Sequence, residues 1–120
     1  MLCILYSMSK VTENWKTQIR KGYLELCILM LIRRYERLYG FELLERLSKA
    51  GLDVKEGTAY PLLNRMTLEG YLSSVWETEN IKGHPRKFYS LTREGRKMLY
   101  EMAEEFDQMV RVFKGFEKGN

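Results

Sequence analysis

The feature that most constrains this chain is a stretch over residues 23–32 in which Glu25 is the only charged side chain. It lies inside a predicted helix over residues 15–37. A helix that is apolar nearly all round is buried on several sides. Because a chain of 120 residues builds only a modest core, we expect a second surface, supplied by another subunit, to cover part of this helix.

Two shorter helices are predicted after it. Residues 41–50 place apolar side chains at helical spacing, and Gly51 follows as a cap. The third helix starts after residues 52–54 and ends at Glu69 and Gly70. Its apolar face follows an i, i+3, i+4, i+7 series made of Ala59, Leu62, Leu63 and Met66.

A β-hairpin is predicted next. Residues 71–79 and 86–92 are rich in aromatic and β-branched side chains, which favour strands. The residues between them include asparagine, glycine and proline, which favour a turn. Thr92 then has the hydroxyl expected of an N-cap, so a last helix is predicted from Arg93 onward.

The last helix carries a continuous apolar seam. Leu99, Phe106 and Phe113 recur every seven residues, with Met102 and Met109 between them. Such a seam needs a partner, so we predict a twofold dimer formed through the first and last helices. The predicted dimer contacts are Leu26, Met30, Leu99, Met102, Phe106, Met109, Val110 and Phe113.

The order helix, helix, turn, helix, hairpin is that of a winged helix-turn-helix domain. The predicted fold is mainly α with a β-hairpin wing, followed by a C-terminal dimerisation helix. Its parts are a flexible N-terminal tail over 1–14, a DNA-binding domain over 15–92 and the dimerisation helix over 93–120. Residues 1–8 are apolar but too few to span a membrane, and both a frayed tail and a translation start at Met8 stay open.

The positive charge of the chain is concentrated in one segment. The net charge is +4 at pH 7, and residues 81–97 hold six basic side chains against Glu94 alone. Acidic segments flank this stretch on both sides. A local basic patch fits the phosphates of a nucleic acid, and it also fits an ordinary solvated surface.

Candidate DNA contacts fall on the third helix and on the wing. Asn64 and Arg65 lie opposite the apolar series, and these residue types suit bidentate hydrogen bonding to adenine and guanine edges. The same face carries Thr58, Tyr60 and Pro61. At the wing, phosphate contacts are predicted for Lys82, His84, Arg86 and Lys87.

Enzymatic and metal-binding functions find no support in the sequence. Cys3, Cys27 and His84 are too few for a metal cluster or a disulfide framework. The glycines lack the spacing of a phosphate-binding loop. We therefore predict no catalytic residues, no metal and no cofactor, and the free thiols predict a reducing cytoplasm.

Two motifs point to one known family. Residues 56–63 read Glu-Gly-Thr-Ala-Tyr-Pro-Leu-Leu, and residues 85–95 read Pro-Arg-Lys-Phe-Tyr-Ser-Leu-Thr-Arg-Glu-Gly. Residues 21–29 and 39–42 look like the family's first helix and the start of its second. Over residues 16–115 the chain resembles the PadR family of bacterial and archaeal transcriptional regulators.

This resemblance implies a homodimeric repressor that binds a double-stranded DNA operator. It also implies the shorter subclass, which has a single C-terminal helix. The DNA contacts that it implies are Thr58, Tyr60 and Arg65 on the recognition helix, with Lys82, Gly83, Arg86 and Lys87 in the wing.

A small aromatic effector is a further prediction. Some short members of the family hold flat aromatic effectors between tryptophans of their C-terminal helices, but residues 93–120 contain no tryptophan. Phe106 and Met109 are predicted either to line a softer effector pocket or to form dimer core alone. Trp15 and Trp76 are interpreted as packing residues.

Three functions stay open at this point. They are a homodimeric DNA-binding repressor, a winged-helix module that binds proteins instead of DNA, and a small-molecule carrier built on the dimer cleft. A protein-binding module would be expected to replace Arg65 and Lys87 by neutral or acidic groups. The basic wing and third helix therefore favour the repressor.

Overall fold

The computed structural model describes residues 2–78 and 84–119, with side chains from residue 12 onward. The elements follow one another as four helices and three strands within this part of the chain. They are α1 (Leu2–Tyr35), β1 (Arg37–Tyr39), α2 (Gly40–Lys49), α3 (Glu56–Leu68), β2 (Leu72–Glu77), β3 (Arg86–Leu91) and α4 (Arg93–Glu117). This is a mainly helical winged helix-turn-helix fold, as predicted.

The N-terminal helix is longer than predicted. It begins at Leu2, so residues 2–14, which were predicted as a tail before the first helix, are part of that helix. It ends at Tyr35, where Glu36 has a φ of 69° and turns the chain. The sequence pattern misses β1, because three residues are too few to show the alternation by which strands are recognised.

The wing is an antiparallel sheet with strand order β1-β3-β2. The predicted hairpin strands are confirmed, and Ser74 faces Tyr89 while Trp76 faces Lys87. The predicted turn between them lies mostly outside the described residues. β1 completes the sheet by pairing Leu38 with Tyr89.

The core lies on one side of α1. Ile28, Leu29 and Ile32 are fully buried there. The same cluster also contains Leu24 and Leu26 of α1, and it takes further buried side chains from α2, α3, the sheet and α4: Leu43, Leu47, Leu63, Met66, Leu38, Leu72, Tyr89 and Leu99. Tyr23 and Met30 of the same helix stay exposed, so the protomer covers only part of the apolar surface that the sequence predicted.

A hydrogen-bonded corner joins the wing to α4. The predicted N-cap is confirmed, since the Thr92 hydroxyl accepts a hydrogen bond from the Gly95 amide at 2.9 Å. The same hydroxyl donates to the Gly70 carbonyl at 2.6 Å, and the Thr92 amide donates to the Tyr71 carbonyl. Gly95 is buried, and a Cβ there would overlap the Tyr71 carbonyl oxygen. Glycine is therefore required where α4 passes the turn before β2.

Candidate nucleic-acid interface

The third helix, α3, has two sharply different faces. Ala59, Leu63 and Met66 are fully buried against the core. The opposite face carries the predicted DNA contacts, and all five are exposed: Thr58, Tyr60, Pro61, Asn64 and Arg65. The helix runs through Pro61 from Glu56 to Leu68, so these side chains share one solvent-facing surface.

Tyr60 is held by the start of α2. A Cβ on Gly40 would overlap the Tyr60 ring, so only glycine lets α2 begin this close to α3. Burial raises the pKa of the Tyr60 hydroxyl above its usual value, and the Glu56 carboxylate adds to this. The phenol therefore stays neutral at physiological pH and can donate a hydrogen bond.

Arg65 is engaged by two carboxylates. Its guanidinium lies 3.2 Å from a Glu25 oxygen on α1 and 2.6 Å from a Glu69 oxygen at the end of α3. These contacts raise the pKa of Arg65, with the hydrogen bond to Glu69 first and the charge of Glu25 next. In the free protein Arg65 thus ties α3 to α1 instead of pointing freely into solvent. The lone charge of Glu25 in an apolar stretch was the sequence signal for such a partner.

Arg86 and Lys87, the basic residues of β3, lie on opposite faces of the sheet. Side chains alternate along a strand, so Lys87 shares a face with buried Tyr89, whereas Arg86 lies on the other face. The Lys87 ammonium lies 5.7 Å from the ring centre of Tyr89 and 5.8 Å from that of Trp76. The Arg86 guanidinium lies 4.5 Å from the ring centre of Tyr39. His84 is exposed, while Lys82 and Gly83 lie outside the described residues.

An apolar groove of about 870 Å³ runs between α1 and α4. Tyr23 and Phe106 stack across it with ring centres 5.6 Å apart. Trp15 of α1 lines it and is exposed, so its interpretation as a packing residue does not hold within the protomer. The predicted dimer and effector residues that line the groove are Leu26, Met102, Phe106, Met109, Val110 and Phe113.

Two of the predicted dimer contacts are covered inside the protomer. Leu26 and Leu99 are both buried, although Leu26 still borders the groove. Met30 is exposed but does not line it. Several large apolar side chains stay uncovered on the last turns of α4, where Met109, Phe113 and Phe116 are exposed. A contiguous apolar surface of this kind marks an interaction site in soluble proteins.

Among the side chains that the structure describes, no group of His, Cys, Asp or Glu is placed to hold a metal ion. Within the same part of the chain, no helix is both long and apolar enough to cross a membrane.

Comparison with known proteins agrees with this geometry. The sequence model of the transcriptional regulator PadR-like family matches residues 28–107. A transcriptional regulator from Mycobacterium tuberculosis is 33% identical over 78 residues, which are 65% of this chain and 71% of that protein.

Solved structures show the same relationship. A PadR family transcriptional regulator from Eggerthella lenta superimposes with a TM-score of 0.84 at 27% identity, covering 96% of this chain and 99% of that one. A PadR-like transcriptional regulator from Bacillus cereus has a TM-score of 0.75 at 35% identity, covering 86% and 99%. The chain belongs to the transcriptional regulator PadR-like family, and it is a regulator of transcription and not an enzyme.

Proposed function

We propose that this protein is a homodimeric repressor that binds a double-stranded DNA operator in a sequence-specific way. The observation that carries the proposal is the exposed face of α3, which offers a hydroxyl, a phenol and an amide on a helix anchored by its buried face. In a winged helix-turn-helix this helix enters the major groove, and the wing follows the DNA backbone. The regulator acts in the cytoplasm, where a bacterial or archaeal chromosome lies.

The side chains divide into two roles. Asn64 is exposed, and its amide can both donate and accept a hydrogen bond, so it is suited to read a base edge. Lys87 is suited to meet a phosphate, which positions the protein without reading sequence. The Arg65 guanidinium can contact a base only after it gives up its ion pair with Glu25 or Glu69. Its contribution to recognition is therefore smaller than its residue type suggests.

This division can be tested with three alanine variants. We expect Asn64→Ala to cost about 1–3 kcal/mol on the best site and to relax the preference at one position per half-site. Lys87→Ala should weaken all sequences alike and flatten the plot of log affinity against log salt by about one unit for each phosphate that is no longer neutralised. The measurement is fluorescence anisotropy on duplexes selected from a random library, at several salt concentrations. Lys118→Ala, which removes an exposed lysine just after α4, is the control.

The outcomes separate the rival functions. Equal loss of sequence preference in Asn64→Ala and Lys87→Ala would contradict the division of roles. A wild-type chain that selects no duplex would contradict DNA binding and favour the protein-interaction module. The basic side chains of the wing and α3 support the DNA-binding alternative.

The dimer is proposed to form through α1 and α4. Trp15, Ile19, Met109 and Phe113 supply exposed apolar surface along the groove. A second copy related by a twofold axis would cover it. To bind two half-sites at once, such a dimer must hold the two copies of α3 about 34 Å apart, the spacing of successive major grooves on one side of DNA.

A small aromatic effector is the second part of the proposal. The tryptophan that is missing from α4 is supplied by α1, because Trp15 lines the groove together with Phe106 and Met109. Glu101 and Glu105 are the charged groups among the lining residues. The groove is thus suited to a flat aromatic compound that is neutral or positively charged. A ligand that changes the packing of α4 acts on DNA binding only if it prefers one dimer geometry.

Tryptophan fluorescence offers a direct test of this effector site. In a Trp76→Phe background Trp15 is the only tryptophan, so we expect flat aromatic cations to change its emission. We also expect Trp15→Ala and Met109→Ala to weaken binding about tenfold in calorimetry, since aromatic stacking and burial are removed. If none of the flat aromatic cations binds, or if binding leaves the affinity for DNA unchanged, the proposal of an inducer at this site is contradicted.

A further inference from the structure

Trp76 is placed where packing does not explain it. It lies on β2 on the same face of the sheet as buried Leu72, yet its side chain is 61% exposed. A tryptophan usually buries a large apolar area. The interpretation of Trp76 as a packing residue is therefore wrong, and its indole is available for another contact.

The Trp76 indole lies against the side chain of Lys87. The two residues face each other across the β2–β3 ladder, and the Lys87 ammonium lies between the rings of Trp76 and Tyr89, at 5.8 and 5.7 Å from their centres. An ammonium within about 6 Å of a ring centre is attracted by the negative face of the ring. Two rings thus restrict a side chain that would otherwise sample many rotamers.

Within the described parts of the chain, 12–78 and 84–119, the Lys87 ammonium forms no ion pair with a carboxylate. By comparison, Arg37 on β1 pairs with Glu77 at 2.7 Å, and Arg65 pairs with two glutamates. An aromatic ring holds an ammonium but does not neutralise its charge. Lys87 therefore keeps both its full charge and its N–H donors for an anion.

The ammonium also lies on the side of the sheet that faces α3. Tyr89 and Leu72 lie on that side and belong to the same core cluster as Leu63 and Met66 of α3. Burial raises the pKa of Tyr89, and the Tyr60 phenol of α3 adds to this. Lys87 therefore lies on the face of the sheet that packs against α3.

We propose that Trp76 is a positioning residue for DNA binding, whose indole holds the Lys87 ammonium where it meets a backbone phosphate beside the base-reading face of α3. The inference rests on the proposed function, since it needs a DNA-bound state. Trp76 acts on DNA binding only by positioning Lys87, and its indole contacts no base.

A double-mutant cycle on the full-length chain tests this role. The variants are Trp76→Leu, Lys87→Met and the two combined, measured by anisotropy on the duplex that the wild-type chain selects. We expect Trp76→Leu to weaken binding about 3-fold per half-site, hence about 10-fold for a dimer on two half-sites. Combined with Lys87→Met, it should add nothing, because the group that it positions is already gone.

Two further variants distinguish a specific loss of DNA binding from a loss of folding. Val75→Ala changes a side chain on the same strand that is equally exposed, at 62%, but lies on the opposite face; it should bind like the wild type. Trp76→Phe keeps a ring in place and should retain most of the affinity. All variants should melt within a few degrees of the wild type, since neither exposed side chain belongs to the core.

Each result distinguishes the positioning role of Trp76 from an alternative. Trp76→Leu binding like Val75→Ala would overturn the inference while leaving the proposed function intact. An equal loss from Trp76→Leu with and without Lys87 would also overturn it, because the indole would then act on DNA directly. Failure of the wild-type chain to bind any duplex would overturn the proposed function itself. If Trp76→Leu does not fold, Trp76→Val, which also removes the ring and has a β-branched side chain suited to a strand, takes its place in the same cycle with the same expected loss.

Discussion

Phe113→Asp is expected to convert the protein from a dimer into a monomer that no longer holds its operator. Phe113 lines the α1–α4 groove and is 56% exposed in the protomer, so a charge there is tolerated until a second copy covers it. Burying an unpaired carboxylate at the interface costs several kcal/mol. A loss of about 3 kcal/mol corresponds to a dimer weakened more than a hundredfold. Sedimentation velocity at micromolar concentration measures this change.

Phe113 is a sharper probe than Phe106. Phe106→Asp would also disrupt the stacking with Tyr23 inside the protomer, so a loss of assembly could reflect a loss of folding. Val112→Asp is the matched control, because Val112 is exposed on the same turn of α4 but does not line the groove. If Phe113→Asp still sediments as a dimer with an unchanged melting curve, the interface lies elsewhere on the molecule.

Loss of the dimer should carry over to DNA binding. Two linked recognition helices bind two half-sites with an affinity that neither helix reaches alone. We therefore expect Phe113→Asp to bind an isolated half-site about as well as the wild-type protomer does, and to lose the added affinity for the full site. Unchanged binding to the full site would show that the protein reads DNA as a monomer.

Gly95→Ala should cause a large loss of stability, although it adds a single methyl group. The added Cβ would overlap the Tyr71 carbonyl oxygen, a backbone atom that cannot rotate away. The strain would also disturb the Thr92 hydroxyl, which bridges the Gly95 amide and the Gly70 carbonyl. Overpacking of this kind costs about 3 kcal/mol. Urea unfolding at a fixed protomer concentration measures it, since stability in a dimer depends on concentration.

Gly57→Ala is the control for this substitution. Gly57 is also helical and lies outside the α1–α4 groove, and a Cβ there meets nothing within 4 Å. Alanine in a helix is up to about 0.5–1 kcal/mol more favourable than glycine, so this variant should be slightly more stable than the wild type. A Gly95→Ala variant as stable as Gly57→Ala would show that the corner between β2 and α4 adapts.

Much of the fold follows from patterns that span only a few residues. The i, i+3, i+4, i+7 series of α3 predicted which of its faces is buried, because helix geometry alone brings those side chains together. Thr92 predicted the start of α4, because a hydroxyl at that position satisfies a free amide three residues later. The two long wing strands were recognisable from their composition for the same local reason.

The contacts that decide function join residues far apart in the chain, and these only the tertiary structure shows. Sequence patterning assigned Arg65 to a base, but the packing of α3 beside α1 gives it two carboxylates first. The absence of tryptophan from α4 argued against a stacked ligand, yet the fold brings Trp15 into the same groove. The hairpin register, likewise, sets Trp76 opposite Lys87. A local pattern determines which face of a helix or strand is apolar, but which distant charge or ring meets that face depends on how the elements pack.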